Sequence, residues 1–204
     1  MIRVIMLAAI LFGFVTPAAL AQKKKPEIPA AIKVPDGHRL VDECEAKGVQ
    51  IYKAVVGKDG KPEWAFEGPL ADLSGAEPGK AGIHYQGPAW EAFDGSKVVK
   101  DEGRKLESAD APNPKRDLPW LLVPVKADDL KDAKPGRFSK VVYVQRVATS
   151  GGLKPKQSPK REGSRIAVPY TATYYFWAKL PDRPHYSSRT GRLPLSMNFH
   201  VGTR

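Results

Sequence analysis

The sequence of 204 residues predicts an all-β protein, an antiparallel β-sandwich or barrel of about ten short strands. Many segments alternate apolar and polar residues with a period of two, which is typical of half-buried strands. No long amphipathic helical pattern accompanies them. The 19 prolines and 18 glycines are too many for a helical bundle and suit a chain of strands joined by turns.

A hairpin is predicted near the start of the folded part. Residues 49–55 largely alternate Val or Ile with Gln, Tyr and Ala, and residues 64–67 alternate bulky and small side chains. The Gly-Lys-Asp-Gly turn at 57–60 joins them, because Asp-Gly tolerates positive φ. Further strands are predicted over 82–86, 89–93, 97–100, 120–125, 141–149 and 165–179, with a turn at 94–96.

Three further predictions concern breaks and ends of this pattern. Pro124 places the end of its strand at a sheet edge or a bulge, because proline has no N–H to donate. Residues 128–133 could form one helical turn. Residues 193–201 alternate strictly between apolar and polar, which predicts a final strand reached through a loop at 180–192.

The first 21 residues have the form of a cleavable export signal. Arg3 precedes an uncharged apolar run at 4–15, Pro17 breaks that run, and Ala-Leu-Ala at 19–21 has the small-x-small form that a signal peptidase accepts. The run is shorter than the roughly 20 residues that span a bilayer, and a lasting anchor, with the run extended to Ala21, is the alternative. We therefore expect a periplasmic or secreted protein with no lasting membrane span.

The rest of the chain divides into three parts. Residues 22–37 are rich in Lys and Pro and lack periodicity, so they are predicted to be an extended leader. Residues 38–177 form the predicted β-domain. Residues 178–204 are predicted to be a basic loop followed by the extra C-terminal strand.

The formal net charge of +11 is concentrated in the C-terminal third of the chain. Residues 137–204 hold 13 Lys and Arg against only Glu162 and Asp182. This third could bind an anionic polymer such as lipopolysaccharide or an acidic glycan, or it could be a solvated tail that serves solubility. Nucleic acid is not an expected partner, because no helix-turn-helix, zinc-finger or RNA-binding pattern occurs.

Cys44 is the only cysteine, so no disulfide can form within one chain. Asp42, Glu43 and Glu45 surround it with negative charge, which disfavours the thiolate that a catalytic nucleophile requires. An inert thiol or an intermolecular bridge is expected instead.

Potentially functional side chains are densest in residues 64–96. Two stretches there place an aromatic residue and one polar residue before Gly-Pro, at 66–69 (FEGP) and at 85–88 (YQGP). They are interpreted either as matched turns around a cleft, or as strand corners whose aromatic rings fill the core and whose acids face water. The cleft would present His84, Tyr85, Trp90, Glu91 and Asp94.

A hydrolase could be built from three of these residues. Glu91 and Asp94 would be its paired carboxylates and His84 its general base. No metal site is predicted, because the four histidines are scattered and no HExxH or His-x-His pattern occurs. No cofactor is predicted, since the chain lacks Walker and Gly-x-Gly-x-x-Gly loops.

A non-enzymatic binding domain is the leading hypothesis. Export, strand content, aromatic density and the lack of a catalytic motif favour a domain that binds a cell-envelope or extracellular ligand such as a glycan. Aromatic rings can stack on sugars, and Trp64, Tyr85 and Trp90 are the candidate contact residues. Exposure is the discriminating observation, because binding needs an exposed coplanar pair and core packing would bury the tryptophans.

Six motifs occur in order along residues 48–176. They are GVQIY (48–52), WxFxGPxAxL (64–73), HYxGPxWExxDGS (84–96), PWLL (119–122), VQRVxTxGG (144–152) and VPYTAxYYF (168–176). Together they resemble the exported proteins called domain of unknown function 3455, found in bacteria, fungi and plants. The resemblance implies an exported, single-domain, β-rich protein and no established activity. It also implies a missing disulfide, because Ala54 and approximately Ser158 stand where the family commonly has cysteines.

Overall fold

A computed structural model describes residues 25–75, 80–127 and 135–181. Nine strands lie in these ranges, which confirms the all-β prediction. The elements are one 3₁₀ turn (Ala30–Ile32), β1 (His38–Val56), β2 (Pro62–Ser74), β3 (Lys80–Tyr85), β4 (Ala89–Ala92), β5 (Lys97–Lys100), β6 (Glu107–Ala109), β7 (Trp120–Ala127), β8 (Val141–Gly151) and β9 (Arg165–Lys179). The predicted export signal (1–21), helical turn (128–133) and final strand (193–201) fall outside the described residues. Within them, no helix has the length and apolar character needed to cross a membrane.

The nine strands form one antiparallel sheet that closes on itself. The hydrogen-bonded order is β5-β4-β3-β2-β1-β9-β8-β7-β6, and β5 also pairs with β7. Eight strands therefore make a closed ring. The three-residue strand β6 pairs with β7 outside that ring. Of the two predicted architectures, the chain adopts the barrel.

Two glycines let neighbouring strands approach closely where the sheet curves. A Cβ atom at Gly48 of β1 would lie 2.1 Å from the Leu70 carbonyl oxygen. A Cβ atom at Gly82 of β3 would lie 2.0 Å from the Glu91 carbonyl oxygen. Neither position can hold a side chain without a backbone shift. The β1–β2 register also shifts once, and bulges and strand glycines are the features that bend a sheet into a barrel.

The segment before β8 fills one end of the barrel with an aromatic pair. Phe138 is fully buried and stacks on Phe176 of β9, with ring centroids 4.3 Å apart. The Phe138 N–H donates to Ser96 Oγ at 2.9 Å, which ties this segment to the β4–β5 turn. Arg137, the preceding residue, forms an ion pair with Asp42 near the start of β1. These contacts join three separate parts of the chain at this end.

Residues 25–37, predicted to be a leader, lie along the outer face of β7, β8 and β9. Ile32 is fully buried there, and Gln145 Nε2 donates to its carbonyl oxygen at 2.7 Å. Ile28 and Val34 pack against the same cluster. The segment thus covers an apolar face that the strands alone would expose to water. The buried members of the cluster are Ile32, Ala111, Trp120, Leu122, Val147 and Tyr175.

The predicted hairpin and the strands after it are present, with some different lengths. β1 spans 19 residues and β9 spans 15, so the strands are not all short. Pro124 lies inside β7, where pairing with β6 ends at Leu122 and pairing with β5 begins at Val125. Its carbonyl oxygen accepts the Asp101 N–H at 2.9 Å. The proline therefore occupies the gap between two partner strands, where no N–H is required.

Hydrogen bonds join the long β8–β9 loop to β1 at Ala54. The Ala54 N–H donates to the Ser164 carbonyl oxygen at 2.8 Å, and the Gly163 N–H donates to the Ala54 carbonyl oxygen at 2.9 Å. Cys44 lies elsewhere, fully buried, and burial raises its pKa to about 12. Of the two expectations, burial favours the inert thiol, because a fully buried sulfur is not accessible at the surface.

Candidate functional site

A cavity of about 440 Å³ opens at the barrel end opposite Phe138. Its rim is made by residues 66–69 of β2 and 86–88 of the β3–β4 turn, together with Lys100 and Leu106. These are the two Gly-Pro stretches that the sequence singled out. Six strands supply the walls and floor, through Gln50 (β1), His84 (β3), Trp90 (β4), Leu121 and Val123 (β7), Arg146 (β8) and Tyr174 (β9).

The two Gly-Pro stretches meet at the rim because Gly68 has no side chain. A Cβ atom at Gly68 would lie 2.7 Å from Gln86 Cβ, closer than two carbon atoms can approach. Next to it, Glu67 accepts hydrogen bonds at 2.8 to 3.1 Å from the guanidinium of Arg165. These bonds lower the pKa of Glu67, so its carboxylate is ionised, and both of its oxygens already accept hydrogen bonds from Arg165.

His84 and Trp90 are a cross-strand pair on the inner face of β3 and β4. Their rings stack with centroids 4.5 Å apart and planes 10° from parallel. His84 Nδ1 lies 2.8 Å from the Ala89 carbonyl oxygen, so this nitrogen carries the proton and Nε2 is the acceptor of the neutral ring. Burial lowers the pKa of His84 to about 3, which keeps the imidazole neutral at physiological pH.

Four buried polar atoms of cavity-lining residues form no hydrogen bond of good geometry with the described residues. They are Gln50 Nε2, Trp90 Nε1, Arg146 Nε and Tyr174 Oη. The Tyr174 hydroxyl nevertheless lies close to the Arg146 and Tyr170 side chains, and Gln50 lies close to Tyr170. A buried polar atom left unpaired costs about 1–3 kcal/mol of stability. Most proteins therefore satisfy such atoms, and half of the eight found in the described residues belong to the lining of this one cavity.

Arg146 sets the electrostatics of the cavity floor. Its Nη2 donates to the Pro119 carbonyl oxygen at 2.9 Å, which anchors the guanidinium and leaves its charge in place. No carboxylate among the described residues forms an ion pair with it. Burial raises the pKa of Tyr174, against an opposing effect of the Arg146 charge, so the Tyr174 hydroxyl is protonated and can donate.

The residues of the hydrolase hypothesis do not meet in this cavity. Glu91 alternates with Trp90 along β4, and the Tyr85 hydroxyl donates to Glu91 Oε2 at 2.6 Å, outside the cavity lining. Asp94 lies in the β4–β5 turn at the far end, where it accepts the Ser96 hydroxyl at 2.6 Å. That hydrogen bond is the main cause of the lowered pKa of Asp94.

The tryptophans are dispersed rather than paired. Trp90 is 2% exposed and Trp120 is 5% exposed. Trp64 is half-buried, and its Nε1 donates to the Gln157 carbonyl oxygen at 2.9 Å. Trp177 belongs to the outer cluster beneath residues 25–37. In the described ranges no two tryptophan rings stack, so they form no flat aromatic platform on the surface.

Three polar residues of the cavity are not among the site residues that the sequence predicts. Gln50, Arg146 and Tyr174 each lie inside one of the six motifs, on strands that were predicted. A polar residue in phase with inward-facing apolar residues would have marked them. For β1 the alternation predicts that the Val and Ile side chains face the core. The structure instead buries the other face of the strand, with Gln50, Tyr52 and Ala54.

The cavity lining holds few groups that could perform covalent chemistry. No Ser, Thr or Cys of the described ranges lines it, and the neutral His84 is too weak a base at its lowered pKa to serve near pH 7. Among the described residues, no three His, Cys, Asp or Glu side chains converge where a metal ion could bind. The polar groups can instead bind and orient a molecule.

Fold and site together define a closed eight-stranded antiparallel barrel with a polar-floored cavity open at one end. The chain belongs to the family described as a protein of unknown function, DUF3455, whose model matches residues 35–178. This confirms the resemblance seen in the sequence. No curated protein and no solved structure matches the chain significantly.

His84 gives the stability of the protein a specific dependence on pH. Its pKa falls from 6.5 to about 3 on folding, so the unfolded chain takes up the proton first. The neutral His84 therefore contributes its full share to the free energy of unfolding above pH 6.5, and this share is lost as the pH falls toward 3. Urea unfolding at pH 7 and at pH 4.5 measures how much stability each protein loses on acidification. We expect the loss in His84→Gln to be smaller than the loss in the native protein by roughly 2 kcal/mol. Equal losses in both proteins would contradict the buried neutral imidazole.

Proposed function

We propose that this protein binds one small molecule inside the barrel without transforming it. The observation that carries the proposal is a cavity with an open rim whose lining holds four buried polar atoms without a hydrogen bond of good geometry. A ligand that reaches the floor would supply the missing hydrogen-bond partners. The free energy lost by leaving those atoms unpaired would then be recovered on binding.

The size and shape of the cavity agree with this proposal. Small-molecule sites are concave, mostly apolar and roughly 300–1,000 Å³ in volume. The cavity of about 440 Å³ lies within that range. An eight-stranded barrel has an interior just wide enough to hold one small ligand among its side chains.

An enclosed small molecule is favoured over a polymeric glycan on the surface. A glycan chain would need an exposed aromatic platform, whereas Trp90 is buried and its ring is covered by His84. The same burial opposes the hydrolase alternative, because His84, Glu91 and Asp94 face three different surroundings. The envelope or extracellular ligand of the leading hypothesis thus becomes a small molecule in this proposal.

The anionic-polymer alternative loses some of its charge to internal contacts. Within the basic C-terminal third, Arg137 pairs with Asp42 and Arg165 pairs with Glu67. Arg146 faces the cavity. These three arginines serve the fold or the cavity, so they add little to an outer surface for a polymer.

Filling the cavity should abolish binding of a small apolar probe. We expect the native protein to bind the neutral fluorophore N-phenyl-1-naphthylamine, and Leu121→Trp, which places an indole in the cavity wall, to weaken that binding at least about tenfold. Leu180→Trp adds the same side chain at an exposed position and should bind like the native protein. Fluorescence titration measures all three affinities. No binding by the native protein, or equal binding by Leu121→Trp, would refute the proposal.

We also propose that the protein acts after export, on the strength of the pattern in residues 1–21. Expression of the full chain in a secreting bacterium should yield an exported protein that begins at Gln22. Ala21→Arg removes the small residue at the cleavage position and should leave the precursor intact. N-terminal sequencing of both proteins tests this. A native protein that keeps Met1 would contradict it.

A further inference from the structure

We infer that the cavity takes an amphipathic organic anion whose carboxylate is received by Arg146. The inference rests on the proposed small-molecule binding and specifies the chemistry of the ligand. Three features support it: the charge of the lining, the kind of polar atom left unpaired, and the placement of apolar side chains toward the rim.

The lining of the cavity carries a positive charge at its floor, where the inner end of a bound ligand would lie. Besides Arg146, the charged residues that line the cavity in the described part of the chain are Lys100 and Glu67. Lys100 Nζ lies 2.6 Å from Glu102, and Glu67 is bound by Arg165. Arg146 is partly buried and thus keeps, in a partly desolvated place, a charge that no described carboxylate balances. An anionic ligand would balance it.

Three of the four atoms can only donate, and the fourth, the Tyr174 hydroxyl, can both donate and accept. Gln50 Nε2, Trp90 Nε1 and Arg146 Nε carry only hydrogens to give, and the protonated Tyr174 hydroxyl can also donate. A carboxylate accepts through two oxygens and donates nothing, so it matches this set. A sugar hydroxyl brings a donor with every acceptor, so it would leave part of the set unmatched.

Apolar side chains make up much of the rim and wall of the same cavity. They contact the part of a ligand that points toward the rim, so the ligand needs an apolar body behind its charged end. The contributing residues are Phe66, Pro69, Pro88 and Leu106 at the rim and Leu121 in the wall. Phe66 is 57% exposed, which leaves an aromatic surface at the opening itself. The combination describes an aryl or aliphatic carboxylate.

Two fluorophores with the same body separate charge recognition from cavity binding. 1-Anilinonaphthalene-8-sulfonate carries an anionic group that its neutral relative N-phenyl-1-naphthylamine lacks. We expect the native protein to bind the anion at least about tenfold more tightly. Arg146→Met keeps the apolar stem and removes the charge, so it should lose that preference while binding the neutral probe within about threefold of the native protein. Arg39→Met removes an exposed charge at the other end of the barrel and should keep the preference.

The outcomes distinguish this inference from the proposed function. If the native protein binds neither probe, small-molecule binding itself fails. If it binds both equally, or if Arg146→Met keeps the preference, the cavity stands and the anion inference is overturned. Should Arg146→Met fail to bind the neutral probe because it is unfolded, competition on the native protein decides. Decanoate should then displace the neutral probe at a lower concentration than 1-decanol, and equal displacement would overturn the inference.

Discussion

The pairing of β5 with β7 is the contact on which the rest of the structure depends. Val98, Val99 and Lys100 pair with residues 125–127 and close a sheet that would otherwise end in two unpaired edges. Closure creates a barrel interior that water cannot enter between open sheet edges. The number of strands sets the diameter of that interior. The cavity follows from this constraint. An open sheet would spread the same polar side chains over a solvated face.

The filling of the barrel differs between its two ends. Phe138 and Phe176 fill the end near the β4–β5 turn, and small side chains line β1 and β9 between there and the floor, as at Ala46 and Ala172. Toward the rim, the two Gly-Pro stretches and Gly68 keep the backbone close and leave space inside. The floor between these regions is polar because several strands each contribute one polar residue. Charge, hydrogen-bond donors and volume therefore coincide at one place.

Local pattern was enough to predict where most strands lie, and long-range pairing decided the rest. β7, β8 and β9 are predicted to within two residues, because alternation and β-branched residues are local properties. β6, with three residues, is too short to show a period. In the site, His84 and Trp90 are predicted, but their neighbours Tyr85 and Glu91 face away because successive side chains alternate. Arg146 is missed because one arginine in a strand resembles a surface residue until the register places it inside.

Amide hydrogen exchange in β5 tests closure most directly. The Asp101 N–H, just after β5, donates to the Pro124 carbonyl oxygen of β7 at 2.9 Å, and Val99 pairs with Lys126. If the ring is closed, the amides of Val99 and Asp101 should exchange over minutes to hours, as slowly as amides between β1 and β9. Exchange of these two amides within seconds, with β1 and β9 still protected, would mean that β5 is a free edge and the barrel is open.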